Sequence, residues 1–511
     1  MISAIALDLG TTSIKAGLLD QNGTLGNLVA KSAPKIAVNG GLYESDALAY
    51  AAIAEQALDE CIAHGIISGA GSCKSLGLCS QRSSFLLWER ATGQPVTPLI
   101  SWQDNRGAAS CEALRAHENL IRDLTGLPLA PYYFAPKLRI LLQANAEWLA
   151  RLESGELLAG TLDTFLIWRW SSGQHFMTDA SMAARTLLMD IHQQQWSPRL
   201  CELFGIPINT LPEIKPSAGL NLQLDNGLTG RAKMSPLMMQ PAMPVSLSPT
   251  LSRKRARGQT NRYASFTLTL QASVGDQSAA LIASVSEDRA EALVNLGTGC
   301  FVVRYLPDEN LSAEKSSLDG YLRTLVYQGN AQHTHFAIEG TLNSIAATLA
   351  PYPVGECRIE DLFTGDIFCL AEPSGLGAPY FRNNLDLRFS QTVGHLTQQQ
   401  IAALLLEAVI FRVVRILEDF HRASPIERVY LSGGLSGLGC LQQGIARCVP
   451  FDVYRLSQAE SSLQGAALLA AGMAPASHRE TVLISAARST HAPPEKYRRW
   501  KEWLDALLEQ H

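Results

Sequence analysis

The sequence predicts an α/β protein built from two similar halves. Three observations carry that expectation. The first is composition: 511 residues, 47% of them apolar and 17% charged, is a globular balance with ample material for a buried core. The second is an alternation of helical and extended patterns along the chain, which implies layered helices and sheets. The third is an internal echo. Ile5-Ala6-Leu7-Asp8-Leu9-Gly10-Thr11-Thr12-Ser13-Ile14-Lys15 returns about 290 residues later as Leu293-Val294-Asn295-Leu296-Gly297-Thr298-Gly299-Cys300-Phe301. Each copy reads as an apolar strand, a tight Gly/Thr turn and a second apolar strand.

The remaining elements follow in order. Ser45 to Ala63 has apolar residues on one helical stripe, with Gly65 as the expected stop. Thr397 to Gln400 is a capping-box pattern before an apolar helix reaching about Phe420. Arg428-Val429-Tyr430-Leu431 reads as a short strand ending at Ser432-Gly433-Gly434, and Ser461 to Gly472 as a helix of small residues. Pro493-Pro494 opens a last helix carrying Trp500, Trp503, Leu504 and Leu507. From about Gly230 to Ser265 no periodicity holds. This Met-, Pro- and Ser-rich stretch, with Arg253-Lys254-Arg255-Ala256-Arg257, reads as a solvated insertion, with a nucleic-acid or anionic-ligand patch as the alternative.

Several function classes lose support. With 42 basic and 47 acidic residues, the net charge of −5 supplies no general field for nucleic acid. The ten cysteines form no Cys-x-x-Cys pair, which predicts reduced thiols rather than a zinc or redox site. The run Ile401 to Ile416 is interrupted by Glu407, Arg412 and Arg415 and is too short and charged for a bilayer, so no membrane role is expected. Ile2 to Asp8 carries no basic, cleavable leader pattern, so a cytoplasmic location is expected.

The two turns suggest where chemistry happens. Backbone N–H groups of Gly10, Thr11 and Thr12 form a concave donor set suited to polyphosphate, Lys15 adds a positive charge, and Asp8 could hold magnesium through water. An ordinary hairpin is the alternative. A second such turn at Gly297, Thr298 and Gly299 favours the phosphate reading, since two loops can clamp a nucleotide from both sides. Neither a Walker A motif nor a Gly-x-Gly-x-x-Gly fingerprint is present.

Taken together, the motifs are identifiable. Asp8 to Ser13 resembles the first phosphate motif of the FGGY carbohydrate kinases, within the actin-like ATPase superfamily. Ser80-Gln81-Arg82-Ser83-Ser84, Ser101 to Arg106, Gly126 to Tyr132 and Gly160 to Trp168 resemble segments of the glycerol kinases, as does Thr178-Asp179. Val274 to Ala280 resembles the motif with the catalytic aspartate, while Ser374 to Tyr380 and Ser432-Gly433-Gly434 resemble the signature and adenosine motifs. The match runs in order from residue 2 to about 472.

The resemblance implies two ribonuclease H-like domains flanking a central cleft, with the boundary near residue 284: 1–284 on the sugar side and 285–511 on the nucleotide side. It implies an ATP-dependent kinase using Mg2+ that phosphorylates a small polyol or sugar and forms a homodimer or homotetramer. Asp276 would be the catalytic base and, with Asp8, a metal ligand. Arg82, Trp102, Asp104, Tyr132, Gln277 and Phe301 would contact substrate. For Trp102 and Phe301 the alternative is plain core, and for Asp104 a local pair with Arg106. Thr11, Thr12, Ser13, Lys15, Gly297 and Thr298 would hold phosphates, and Gly433 and Gly434 would lie along adenine.

Two departures bear on substrate. Glycerol kinases follow Gln-Arg with Glu, an acceptor for substrate hydroxyls, and here Ser83 stands there. The Met-His pair of xylulose kinases is absent too. Leu438 also replaces an Asn of the adenosine motif. A longer polyol or a ketose is therefore open beside glycerol. A pentulose kinase is the alternative within the family, and a non-kinase actin-like ATPase the alternative outside it.

Overall fold

The structure is a computed structural model. It describes residues 2–67, 73–224, 268–287, 290–297, 299–306, 318–329, 333–382, 384–457, 460–487 and 493–510. The expected insertion at 230–265 and Thr298 lie outside the described residues.

Two mixed sheets organise the chain. The first contains β1 (Ile2–Leu9), β2 (Ser13–Asp20), β3 (Leu25–Ser32), β4 (Ser75–Ser80), β5 (Ala218–Leu224) and β6 (Leu268–Gly275), in the order β5-β6-β4-β1-β2-β3. The second contains β7 (Glu291–Leu296), β8 (Cys300–Tyr305), β9 (Leu322–Gln328), β10 (Thr334–Leu342), β11 (Arg428–Ser432), β12 (Asp452–Leu456) and β13 (Thr481–Ser485), in the order β9-β10-β8-β7-β11-β12-β13. In the first, β1, β2 and β3 run antiparallel, and β1 then pairs in parallel with β4 and β4 with β6. In the second, β7, β8 and β10 repeat the antiparallel part, and β11 and β12 the parallel part. The echo seen in the sequence is thus a duplicated topology.

The helices cover these sheets much as their patterns predict. Helix α1 (Ala47–Ile67) packs on β2 and β3. It runs past Gly65, the residue expected to end it. A Cβ at Gly65 would lie 2.6 Å from Leu18 Cδ1, so this glycine serves close helix–strand approach rather than a cap. Helix α3 (Gln398–Ala423) starts at the predicted capping box, with Thr397 Oγ1 accepting from the Gln400 amide and Gln400 Oε1 from the Thr397 amide. Helix α5 (Glu495–Gln510) buries Tyr497, Trp500 and Leu504 in the second core.

The two halves are joined by helices. α2 (Asp276–Ser284) leaves β6, and α4 (Ser461–Ala471), from the far half of the chain, packs on it and on β1, β4 and β6. The approach depends on missing side chains. A Cβ on Gly465 would lie 1.8 Å from the Ala279 carbonyl oxygen, and one on Gly77 2.2 Å from that of Ala466. Ala4, Ala6, Cys79, Val274, Leu293, Tyr430, Leu463 and Ala466 share one buried cluster, so the core is continuous across the junction. The C-terminal ends of β1, β4 and β6 converge beside this junction, where ligands bind in open α/β sheets.

Candidate active site

Strand register assembles the first group. Asp8 on β1 pairs with Cys79 on β4, and Cys79 with Val274 on β6. Two residues past Val274, Asp276 opens helix α2. Its Oδ1 lies 3.6 Å from Arg82 Nε and accepts from the Gln277 amide at 2.7 Å. Burial pushes the Asp276 carboxyl up, while the Arg82 and Arg185 guanidiniums oppose that push. Burial, and then the charge of Asp276, drive Asp8 up to about 7. Asp8 Oδ1 is buried with no hydrogen-bond partner. Two adjacent carboxylates, one with an orphaned oxygen, fit a cation that brings its own water and phosphate ligands. Among the described residues no three His, Cys, Asp or Glu side chains form a metal cage.

Arg82 is held by the packing around it. Gly275 lets it pass, because a Cβ there would stand 2.9 Å from Arg82 Cδ. The Gly275 amide donates to Ser181 Oγ at 2.8 Å. Ser181 follows Asp179, whose carboxylate accepts from the amides of Ser181 and Met182 and from Ser217 Oγ. The Asp276 approach is therefore anchored to a buried polar network. Burial, and then neighbouring Arg185, bring Arg82 down to about 10. Ser83 adopts φ +63 and donates from Oγ to the Arg185 carbonyl at 3.1 Å, so its hydroxyl is spent on the protein.

Arg82, Gln277 and Phe301 line one cavity together with Asn295, Thr324 and Glu339. Tyr132 belongs to the same electrostatic neighbourhood: Glu339 and Arg185 act on it, and its hydroxyl donates to Tyr133 Oη at 3.3 Å. Trp102 is 42% exposed, which sets aside the core alternative for it. Its Nε1 donates to Thr11 Oγ1 at 3.0 Å.

Other residues sit differently from expectation. Asp104 is fully buried, and its oxygens accept from the Tyr43 amide and from the amide and guanidinium of Arg106. It fixes the segment after Trp102 and has no oxygen left for a ligand, a correction to the expected contact. Lys15 is not a free cation: its Nζ donates to Glu460 Oε2 at 2.6 Å. Thr11 hydrogen-bonds Gln81 and Trp102, whereas Thr12 is exposed at the turn and Ser13 begins β2.

The second turn stands in the matching place. The Gly297 amide donates to the Gly299 carbonyl at 2.8 Å. Asn295 pairs with Ser432 across β7 and β11, as Asp8 pairs with Cys79. Gly433 has φ +86, and a Cβ there would lie 2.5 Å from both Asn295 Oδ1 and the Leu296 carbonyl oxygen. Nothing lies within 4 Å of a Cβ at Gly434, so this backbone is open on one side.

The sequence motifs point to no role for Gln81, Arg185 or Glu339. Gln81 Oε1 accepts from Thr11 and Ser84, and its Nε2 donates to Tyr50, whose hydroxyl donates to the Gly10 carbonyl. It ties the Gly10–Thr12 turn to Trp102. Its place inside the Ser80 to Ser84 segment was the available signal. Arg185 and Glu339 had none, being brought to Arg82 only by tertiary folding.

This duplicated α/β fold, with acidic residues at the strand ends beside the interdomain helices, defines an actin-like ATPase architecture of the sugar-kinase type. The chain belongs to the FGGY family of carbohydrate kinases: the family's N-terminal domain matches residues 3–234 and its C-terminal domain residues 292–474. It is an ATP-dependent phosphotransferase acting on a hydroxyl group. It is 28% identical to glycerol kinase 2 of Streptomyces coelicolor, over 98% of this chain and 96% of that protein. It is 30% identical to the apulose kinase of Pectobacterium atrosepticum, over 97% and 96%. Among solved structures, glycerol kinase of Plasmodium falciparum with ADP superposes with a TM-score of 0.77 at 20% identity, covering 99% of this chain and 98% of that one. A ligand-bound xylulose kinase from Lactobacillus acidophilus gives 0.69 at 17% identity, covering 99% and 97%. Among the described residues no helix is long and apolar enough to cross a membrane.

Proposed function

We propose that this kinase transfers the γ-phosphoryl group of ATP to a hydroxyl of a neutral polyol or ketose, with Asp276 as general base. The observation that carries this reading is the Arg82–Asp276 pair at 3.6 Å, next to a cavity lined by Arg82, Gln277 and Phe301. A sugar hydroxyl is a weak nucleophile at neutral pH, and a carboxylate within reach accepts its proton as the bond to phosphorus forms. Arg82 orients the substrate and opposes the burial that raises the Asp276 carboxyl. Trp102 and Phe301 supply apolar walls for C–H faces, and Tyr132 and Gln277 polar contacts. The turn amides at Gly10 to Thr12 and Gly297, with Thr298, would hold phosphates, and Ser13 and Lys15 flank them. Gly433 and Gly434 would lie against adenine.

Asp8 and Asp276 would hold Mg2+, which neutralises charge on the transferring phosphoryl group. The orphaned Asp8 oxygen supports that placement. We divide the chain after Ser284, where α2 ends. All ten cysteines are free, which supports a reducing, cytoplasmic setting.

The test is ADP release coupled to a detection enzyme, with ATP, Mg2+ and glycerol, erythritol, xylitol, ribitol, D-xylulose, ribulose and gluconate as acceptors. Acceptor-dependent ADP from a polyol or ketose supports the reading. Equal ADP release without acceptor, retained in Asp276→Asn, overturns it.

A further inference from the structure

Three buried polar atoms near Arg82 lack partners. Glu339 Oε1, Thr324 Oγ1 and Arg185 Nη1 are all buried with no hydrogen bond. Glu339 is 3% exposed and Thr324 5%. Folded proteins seldom leave such atoms unsatisfied, because an unmade buried hydrogen bond costs about 1–3 kcal/mol. Glu339 and Thr324 line the cavity that Arg82, Gln277 and Phe301 also line. They sit on neighbouring strands, Glu339 on β10 and Thr324 on β9, in the second sheet. Arg82 follows β4 of the first. The cavity therefore has a donor wall from one half and an acceptor wall from the other. The charge of Glu339 also acts on Arg82, Arg185 and Tyr132, so the carboxylate belongs to this site.

We infer that Glu339, supported by Thr324, is the acceptor for a substrate hydroxyl and determines which acceptor sugars the enzyme takes. The inference rests on the kinase reading above. Ser83, the residue beside Arg82, brings no carboxylate, and its hydroxyl proton is engaged by the Arg185 carbonyl. A hydroxyl suits the position because it can donate to the Glu339 carboxylate and accept from the Thr324 hydroxyl at once. Glu339 reaches the cavity from the second sheet and Arg82 from the first, and the hydroxyl assigned to Glu339 is separate from those of Asp276 and Arg82. Glycerol would meet Asp276, Arg82 and Glu339 only by using all three of its hydroxyls, whereas four- and five-carbon polyols and ketoses do so with a polar group left for Gln277. A sugar acid would set its own carboxylate against Glu339.

The experiment compares wild type with Glu339→Gln and Thr324→Val on glycerol, erythritol, ribitol, D-xylulose and gluconate. Thermal unfolding and ADP binding are measured on each variant. We expect wild type to favour a four- or five-carbon neutral substrate and to leave gluconate unused. In Glu339→Gln the KM for that substrate rises roughly 10- to 100-fold, as for a lost hydrogen bond to a charged group. ADP affinity stays within about twofold, and the kcat/KM preference over glycerol shrinks by a similar factor. Thr324→Val moves KM the same way by a smaller factor, which keeps the test open if the first variant is unstable. Unchanged KM and unchanged preference in both variants overturn the role of Glu339. Preference for gluconate in wild type overturns it as well. Absence of acceptor-dependent turnover in wild type instead overturns the kinase reading, a distinguishable result.

Discussion

Lys15 of β2 and Glu460, just before α4, meet at 2.6 Å and so link the first sheet's Gly10–Thr12 hairpin to the far half of the chain. Both are partly exposed, which makes the pair a weak contributor to stability. Its effect falls on ligands instead. Glu460 occupies a cation that a polyphosphate would use and places a negative charge beside it. Glu460→Gln should tighten ADP binding by roughly 2- to 5-fold, with the gain fading at high salt. Calorimetry at two ionic strengths checks this, and weaker binding would mean that Glu460 holds Lys15 in its working position.

Asp276→Asn keeps the shape of the side chain and removes the proposed base. Phosphoryl transfer should fall by about 10²–10⁴-fold with ADP affinity nearly unchanged. Single-turnover kinetics with saturating ATP separates these two quantities. A mutant with full turnover would assign the proton to another group.

Arg82 counters the burial that raises Asp276. Removing the guanidinium in Arg82→Gln should raise the Asp276 pKa further, because the opposing charge is gone. A base must be ionised to act, so the acidic limb of kcat/KM moves to higher pH. The position of that limb can be read even if overall activity falls. A limb that stays put, or moves to lower pH, contradicts the assignment.

Ser181 Oγ accepts from the Gly275 amide one residue before Asp276. Ser181→Ala leaves a buried donor unmatched, at a cost of about 1–3 kcal/mol. The expected result is a lower melting temperature together with a reduced kcat. Loss of stability with kcat intact would make Ser181 purely structural.

Gly465→Ala places a methyl group where the Ala279 carbonyl oxygen stands. Overpacking of this kind costs about 1–3 kcal/mol. Since α2 carries Asp276, the separation of α2 from α4 should lower both the unfolding midpoint and turnover. Denaturant melts and initial rates measured together would reveal either effect alone.

Much of this architecture was legible because local rules and tertiary structure agree. The Asp8 and Asn295 hairpins combine turn glycines with apolar strands, so their pattern survives in isolation. The capping box at Thr397 and the Pro-opened last helix are equally local. Gly65 was misread because a glycine that ends a helix and one that admits a neighbouring Leu18 look alike in sequence. Lys15 looks free in sequence because its partner Glu460 is 445 residues away, whereas the Asp104–Arg106 pair is the local alternative the sequence itself offers. Arg185 and Glu339 were silent for the same reason: nothing in their flanking residues points to a cavity shared with Arg82.

The position of α4 has a consequence for synthesis. Its residues complete the face of the first sheet on which Gly77 lies, yet they are translated long after it. A nascent chain emerging from the ribosome must wait with Ala4, Ala6, Cys79 and Val274 uncovered until that late segment arrives. The first half should therefore need chaperone protection during translation, and when expressed alone it should aggregate instead of forming a stable lobe.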